Sequence, residues 1–172
     1  MKKKIHFLIL ISIVLTLGGC EQKLTYIGQS RIVERSENKK PKWVKRPPKK
    51  DKHYVYFVGD ILSPTPTDRL AYKVALSKVS HFINAKATTK FQSKEAYKNK
   101  GESAQLLVNN YIRVVSKASI KHAEEKGHYW EKIETLNDKK GVDTHYHVYV
   151  MVGVPKKMIL EAEKKLAVQK DD

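Results

Sequence analysis

The apolar run from Ile5 to Leu17 follows Lys2-Lys3-Lys4, is broken only by His6, Ser12 and Thr16, and ends at Gly18-Gly19-Cys20. This run constrains the chain more than any other feature. It falls short of the roughly 20 apolar residues that a spanning helix takes. A cationic start, a short apolar core and small residues before a cut are the parts of a secretory signal. Leu17-Gly18-Gly19-Cys20 has the form of a bacterial lipobox, which predicts a signal peptide over residues 1–19 and cleavage between Gly19 and Cys20.

Cys20 is the only cysteine, so the chain forms no internal disulfide. The expected modification is a diacylglyceryl thioether at this sulfur, with N-acylation after cleavage. Each buried acyl methylene contributes about 0.8 kcal/mol, and one chain alone holds marginally, so two or three chains give a durable anchor. A membrane tether through N-terminal lipid is therefore expected, with no cofactor besides that covalent lipid. Glu21 follows the cysteine. The resemblance to Gram-negative lipoproteins implies that the absence of Asp at this position directs the protein to the outer membrane, if the source has one.

Charge sets the next boundary. The chain carries 34 basic and 18 acidic side chains, a formal charge of +16. Removing the three leader lysines leaves 31 basic against 18 acidic, or +13. Residues 21–52 alone hold +7, and their Pro/Lys-rich stretches have little to bury, which predicts an extended basic linker over 20–52. At about 3.3 Å per residue such a linker would reach as far as roughly 100 Å. Lys39, Lys40, Lys42, Trp43, Lys45, Arg46, Lys49 and Lys50 are its candidate membrane- or polyanion-binding residues, since each basic residue near an anionic surface contributes about 1 kcal/mol. The other reading is that these lysines only keep a tether solvated. No nucleic-acid motif accompanies the charge, and the expected compartment holds no nucleic acid.

Residues 53–172 are enough for one small domain. His53–Gly59 reads as a strand. Thr65, Pro66 and Asp68 form a helix-start pattern, and Ala71, Val74, Ala75, Val79, Phe82 and Ile83 carry one helical face to about Ala85. Ala87–Ser93, with Thr88, Thr89 and Phe91, reads as a short strand, and Lys94–Gly101 as loop. Ala104, Leu107, Val108, Tyr111, Ile112 and Val115 predict a second helix. Ser119–Glu134, with a bulge or turn at Gly127, and Thr144–Val154 predict an antiparallel pair joined through Asn137–Gly141. Pro155 opens a last helix whose inner side, Ile159, Ala162 and Leu166, is interrupted by Glu163. The expected fold is α+β: a mainly antiparallel sheet with helices on one face, in the order β-α-β-α-β-β-α.

Pro41, Trp43 and Val44, then Tyr54 to Gly59 ending in Val58-Gly59, then Asp68 with Ala71 and Ala75, resemble the start of the small bacterial membrane-associated lipoprotein family, whose relatives include flagellar basal-disk lipoproteins. The resemblance continues at Tyr129-Trp130 and along Tyr146 to Val152, so it covers roughly residues 41–154. It implies a small α+β domain in an anchored, non-enzymatic envelope protein, with some members assembling into rings or disks. It also implies that the Pro41–Pro48 segment folds back on the domain. It carries over no catalytic residue.

The rest of the chain is poor in chemistry. His145 and His147 sit two apart on a predicted strand, and His122 or His128 on the neighbouring strand would complete a zinc set. No cysteine joins them and spacing places no carboxylate there, so no metal is expected. No Gly-x-Ser-x-Gly elbow places a nucleophile, and no glycine loop cradles phosphate. Trp130 is expected in the core. Trp43 either inserts into headgroups, docks a partner or packs back on the domain. The expected function is a lipid-anchored, non-enzymatic envelope scaffold or assembly subunit that pairs with itself or other envelope proteins. The alternative is a polyanion- or membrane-surface-binding module using the basic linker.

Overall fold

The computed structural model describes residues 23–92 and 101–168. The expected signal peptide, Cys20 and all but the last residue of the expected Lys94–Gly101 loop lie outside the described residues. The elements run β1 (Ser30–Arg35), α1 (Lys42–Lys45), β2 (Tyr54–Ser63), α2 (Arg69–Gln92), α3 (Gly101–Lys121), β3 (Glu124–Leu136), β4 (Val142–Pro155) and α4 (Lys156–Val168). The fold is α+β: one four-stranded antiparallel sheet in the order β1-β3-β4-β2, with helices packed against it. Among the described residues no helix is long and apolar enough to cross a membrane.

Alternation along β4 makes the core. Val148, Val150, Val152 and Val154 point to one face and are fully buried under the helices. Gly59 pairs with Val150, and a Cβ there would lie 1.9 Å from the Ala71 carbonyl oxygen and 2.5 Å from the Ala75 nitrogen. Gly59, Ala71 and Ala75 are small because α2 lies directly on the backbone of β2. Trp130 joins this face, its ring edge-on to Tyr146 at 5.4 Å, as the core reading expected.

The long helices depart from expectation in three places. α2 starts at Arg69, not Thr65, with the first turn closed by the Tyr72 amide donating to the Asp68 carbonyl at 2.8 Å. It also runs to Gln92, so the expected strand over Ala87–Ser93 is helical as far as Gln92. Thr88 and Thr89 are absorbed because their hydroxyls donate to the carbonyls of Asn84 and Ala85, at 3.1 and 3.0 Å. Ala87 is buried and Phe91 meets the Tyr111 ring edge-on at 5.7 Å, so packing on α3 overrides β-branched propensity. Ser119, expected in a strand, is buried in α3, and β3 begins only at Glu124.

Glu163, the interruption in the inner side of α4, is a partner and not a defect. Its carboxylate accepts from the Tyr111 hydroxyl and from Lys86 Nζ at 2.8 Å, tying α2, α3 and α4 together. Burial opposes ionisation of Glu163, but the bonds from Lys86 and Tyr111 outweigh it and hold the carboxyl below its usual range. Burial and the same contact push the Tyr111 hydroxyl well above its ordinary value.

The largest correction concerns the expected linker over 20–52. Ser30–Arg35 is a strand that pairs antiparallel with β3, across which Arg31 faces Glu134, Glu34 faces Lys132 and Arg35 faces Glu131. Arg31 donates to Glu134 through two nitrogens, at 2.9 and 2.7 Å, and the Ser30 and Thr135 hydroxyls are 2.9 Å apart. Opposite charges at each of these positions turn a polar segment into a sheet edge. After Ser36, whose amide donates to the Trp130 carbonyl at 3.0 Å, the chain crosses the face of the sheet away from the helices. This strap ends against β2, where the Lys49 carbonyl accepts from the Tyr56 amide at 3.2 Å. The sheet therefore begins well inside the segment expected to be a free tether.

Candidate functional site: the open sheet edge and the basic strap

The outer face of the sheet is polar, and the strap is fastened to it by a buried carboxylate. Tyr129, Glu131, His147 and Tyr149 share this face because Tyr129 pairs with Tyr149 and Glu131 with His147. Glu131 is only 3% exposed. One of its oxygens accepts from Lys40 Nζ at 2.8 Å; the other accepts from the Tyr129 hydroxyl at 2.9 Å and lies 3.4 Å from Arg35 Nε. Lys40 also reaches the Tyr149 hydroxyl at 3.4 Å, with its ammonium 5.0 Å from that ring's centre.

Electrostatics follow the geometry. Burial works against a charged Glu131, but hydrogen bonds from Lys40 and Tyr129 and the charges of Lys40 and Arg35 prevail, keeping its carboxyl below the usual range. Burial likewise pulls Lys40 down, while its bond to Glu131 and the neighbouring acidic groups raise it overall. Burial and the bond to Glu131 push the Tyr129 hydroxyl up to about 12. Both oxygens of Glu131 are engaged, so the cluster acts as a clamp holding strap to sheet and presents no free base to a substrate.

The candidate basic residues therefore separate. Lys40 is withdrawn into the clamp. Lys39, Lys42, Lys45, Arg46, Lys49 and Lys50 stay exposed along the strap. Trp43 packs back on the domain: a Cβ on Gly127 would lie 3.1 Å from the indole ring, so the glycine at the β3 bulge makes room for the tryptophan.

The candidate zinc set does not come together. His147 stacks on Tyr149 at 4.2 Å, with its Nδ1 2.9 Å from that hydroxyl and its Nε2 3.7 Å from Asp60. His145 shares that face, but His128 pairs with Val150 on the helix-covered face, and His122 lies in the turn after α3. Among the described residues no group of three or more His, Cys, Asp or Glu is placed to hold a metal ion.

The two edges of the sheet differ. The β2 edge is covered at one end by the Lys50 bridge to Val55 and the Asp51 amide, which donates to the Tyr54 carbonyl at 3.0 Å. Asp51 fixes that turn by accepting from the His53 and Tyr54 amides and the Tyr56 hydroxyl, and these bonds lower its carboxyl to about 2. Further along, Lys78 donates to the Val58 carbonyl at 2.7 Å. The β1 edge pairs with no other strand among the described residues. Along it and just before it, Tyr26, Ile27, Ile32 and Val33 are 66%, 63%, 43% and 40% exposed. Sequence reading missed this edge because the flanking charges hid it; the signal was the β-branched pair Ile32-Val33 between Arg31 and Glu34.

No family model, no curated protein and no solved structure matches the chain.

Proposed function

We propose that the chain is a lipid-anchored bacterial envelope lipoprotein acting as a non-enzymatic assembly subunit, held to the membrane through Cys20 and pairing through β1. The carrying observation is the contrast between the two edges: the Tyr54–Val58 half of β2 is covered, whereas β1 pairs with no further strand among the described residues and carries exposed Ile32 and Val33. Gly28 already donates to the Leu136 carbonyl at 2.8 Å, eight residues after Cys20. That is at most about 26 Å of extended chain, so β1 would be held close to the bilayer. Because the strap and Lys78 obstruct the Tyr54–Val58 half of β2, the proposed pairing runs from β1 to the β1 of a second copy, which closes as a two-fold dimer with one continuous sheet.

Two measurements test this. Labelled palmitate should enter the wild type and not Cys20→Ser. In the lipidated protein the native sulfur is a thioether, so Val33→Cys supplies a free thiol, expected to give a disulfide-linked dimer in intact cells. Absence of label removes the anchor. A monomer with Val33→Cys, or a dimer unaffected by Val33→Lys, removes the β1 interface.

The six exposed cations of the strap favour a second reading, in which this face rests on anionic headgroups or envelope polymer. It requires vesicle binding that weakens with salt and is lost when Lys39, Lys42, Lys45 and Arg46 are neutralised together.

A further inference from the structure

α3 and α4 leave between them an open groove of about 430 Å³ on the side of the molecule that the clamp does not use. That volume lies within the roughly 300–1,000 Å³ of small-molecule sites. Its floor is apolar: Val114 and Ala118 from α3 face Met158 and Ala162 from α4. Its rim is cationic. Arg113, Lys117 and Lys121 recur every fourth residue and so line one side over about 12 Å, and Lys165 stands on the other. The one acid on the rim, Glu161, is already 3.7 Å from Lys157. Arg113 donates to the neutral Asn110 side chain at 3.0 Å and makes no ion pair among the described residues. Among the described residues Lys117, Lys121 and Lys165 make no ion pair, and all three are exposed.

A free polyanion has no use for the methyl-lined floor, and a neutral apolar ligand has no use for four unpaired cations. We infer that this groove binds an anionic lipid, with its phosphate among Arg113, Lys117, Lys121 and Lys165 and one acyl chain along Val114, Ala118, Met158 and Ala162. The site does not depend on lipidation at Cys20. Its charge-assisted contacts set affinity and orientation, and the floor selects a chain-bearing anion over a bare one.

The chain has three methionines, Met1, Met151 and Met158, of which only Met158 lines the groove. The test uses the full chain in phosphatidylcholine nanodiscs with ¹³C-methyl methionine, titrated with octyl phosphate, inorganic phosphate or octyl glucoside. A saturable shift of the Met158 methyl with octyl phosphate is expected, with Met151 unmoved. Inorganic phosphate and octyl glucoside should each bind about tenfold more weakly or not at all. Lys117→Gln with Lys121→Gln, both exposed, should raise the half-saturating concentration about tenfold, whereas Lys39→Gln with Lys42→Gln on the strap should leave it unchanged. No saturable shift overturns the inference. Equal affinity for inorganic phosphate reduces the groove to an anion patch, equal affinity for octyl glucoside to an apolar cleft, and equal weakening by the strap variant to bulk attraction; each of these overturns it as well.

Discussion

Lys40→Ala separates a structural cation from its exposed neighbours in the same basic stretch. The substitution deletes the ammonium 2.8 Å from Glu131, a carboxylate only 3% exposed. A hydrogen bond to a charged group contributes roughly 1.5–3 kcal/mol, and breaking a fully buried ion pair costs about 3–5 kcal/mol. The lower range applies, because the Lys40 side chain is 27% exposed and Glu131 keeps Tyr129 at 2.9 Å and Arg35 at 3.4 Å. The expected loss is about 2–3 kcal/mol. That is a large share of the roughly 5–15 kcal/mol that holds a domain together, and it lowers Tm by roughly 6–12 °C. Lys39→Ala, one residue away and exposed, should change stability by less than about 0.5 kcal/mol. Thermal and urea unfolding read by tryptophan fluorescence suit the comparison, since Trp43 reports the strap and Trp130 the core. The pH dependence supplies an independent check. The folded carboxyl of Glu131 lies below its unfolded value, so its contribution is present above about pH 4.3 and is lost as pH falls through the folded value. Lys40→Ala weakens that depression and should flatten the acid limb. Equal stability of the Lys39 and Lys40 variants, or an unchanged acid limb, would refute the clamp.

Two further substitutions probe the packing. Gly59→Ala places a methyl 1.9 Å from a backbone oxygen of α2 that no side-chain rotation can move, so it should cost about 3 kcal/mol or more, seen as a large fall in the urea midpoint. Ser119→Ala should instead raise stability by about 1 kcal/mol in calorimetry, because the buried Ser119 hydroxyl has no hydrogen-bond partner among the described residues and alanine is the better helix former.

What was legible in the chain followed from local period. Alternation in Tyr146–Val154 and the 3.6-residue spacing through Val108, Tyr111, Ile112 and Val115 located β4 and α3, and Gly127 located the β3 bulge. Thr88 and Thr89 misled because a threonine's strand preference is weak beside two hydroxyl-to-carbonyl bonds and a buried helix face. Glu163 looked like a fault because its partners, Tyr111 and Lys86, lie on other helices.

Local pattern was enough for the α+β class, for the existence of α2, α3, α4, β2, β3 and β4, and for the expectation of an anchor at Cys20, since each depends on neighbours in the chain. Contacts across the fold settle that Lys40 is half-buried in the clamp while Lys39 is exposed, that the strap covers part of the β2 edge and none of the β1 edge, and that Arg113, Lys117 and Lys121 stand across a groove from Lys165. These depend on pairs of residues far apart in the chain, such as Lys40 and Glu131 or Arg35 and Glu131, whose charges have the same local appearance whether they face solvent or each other.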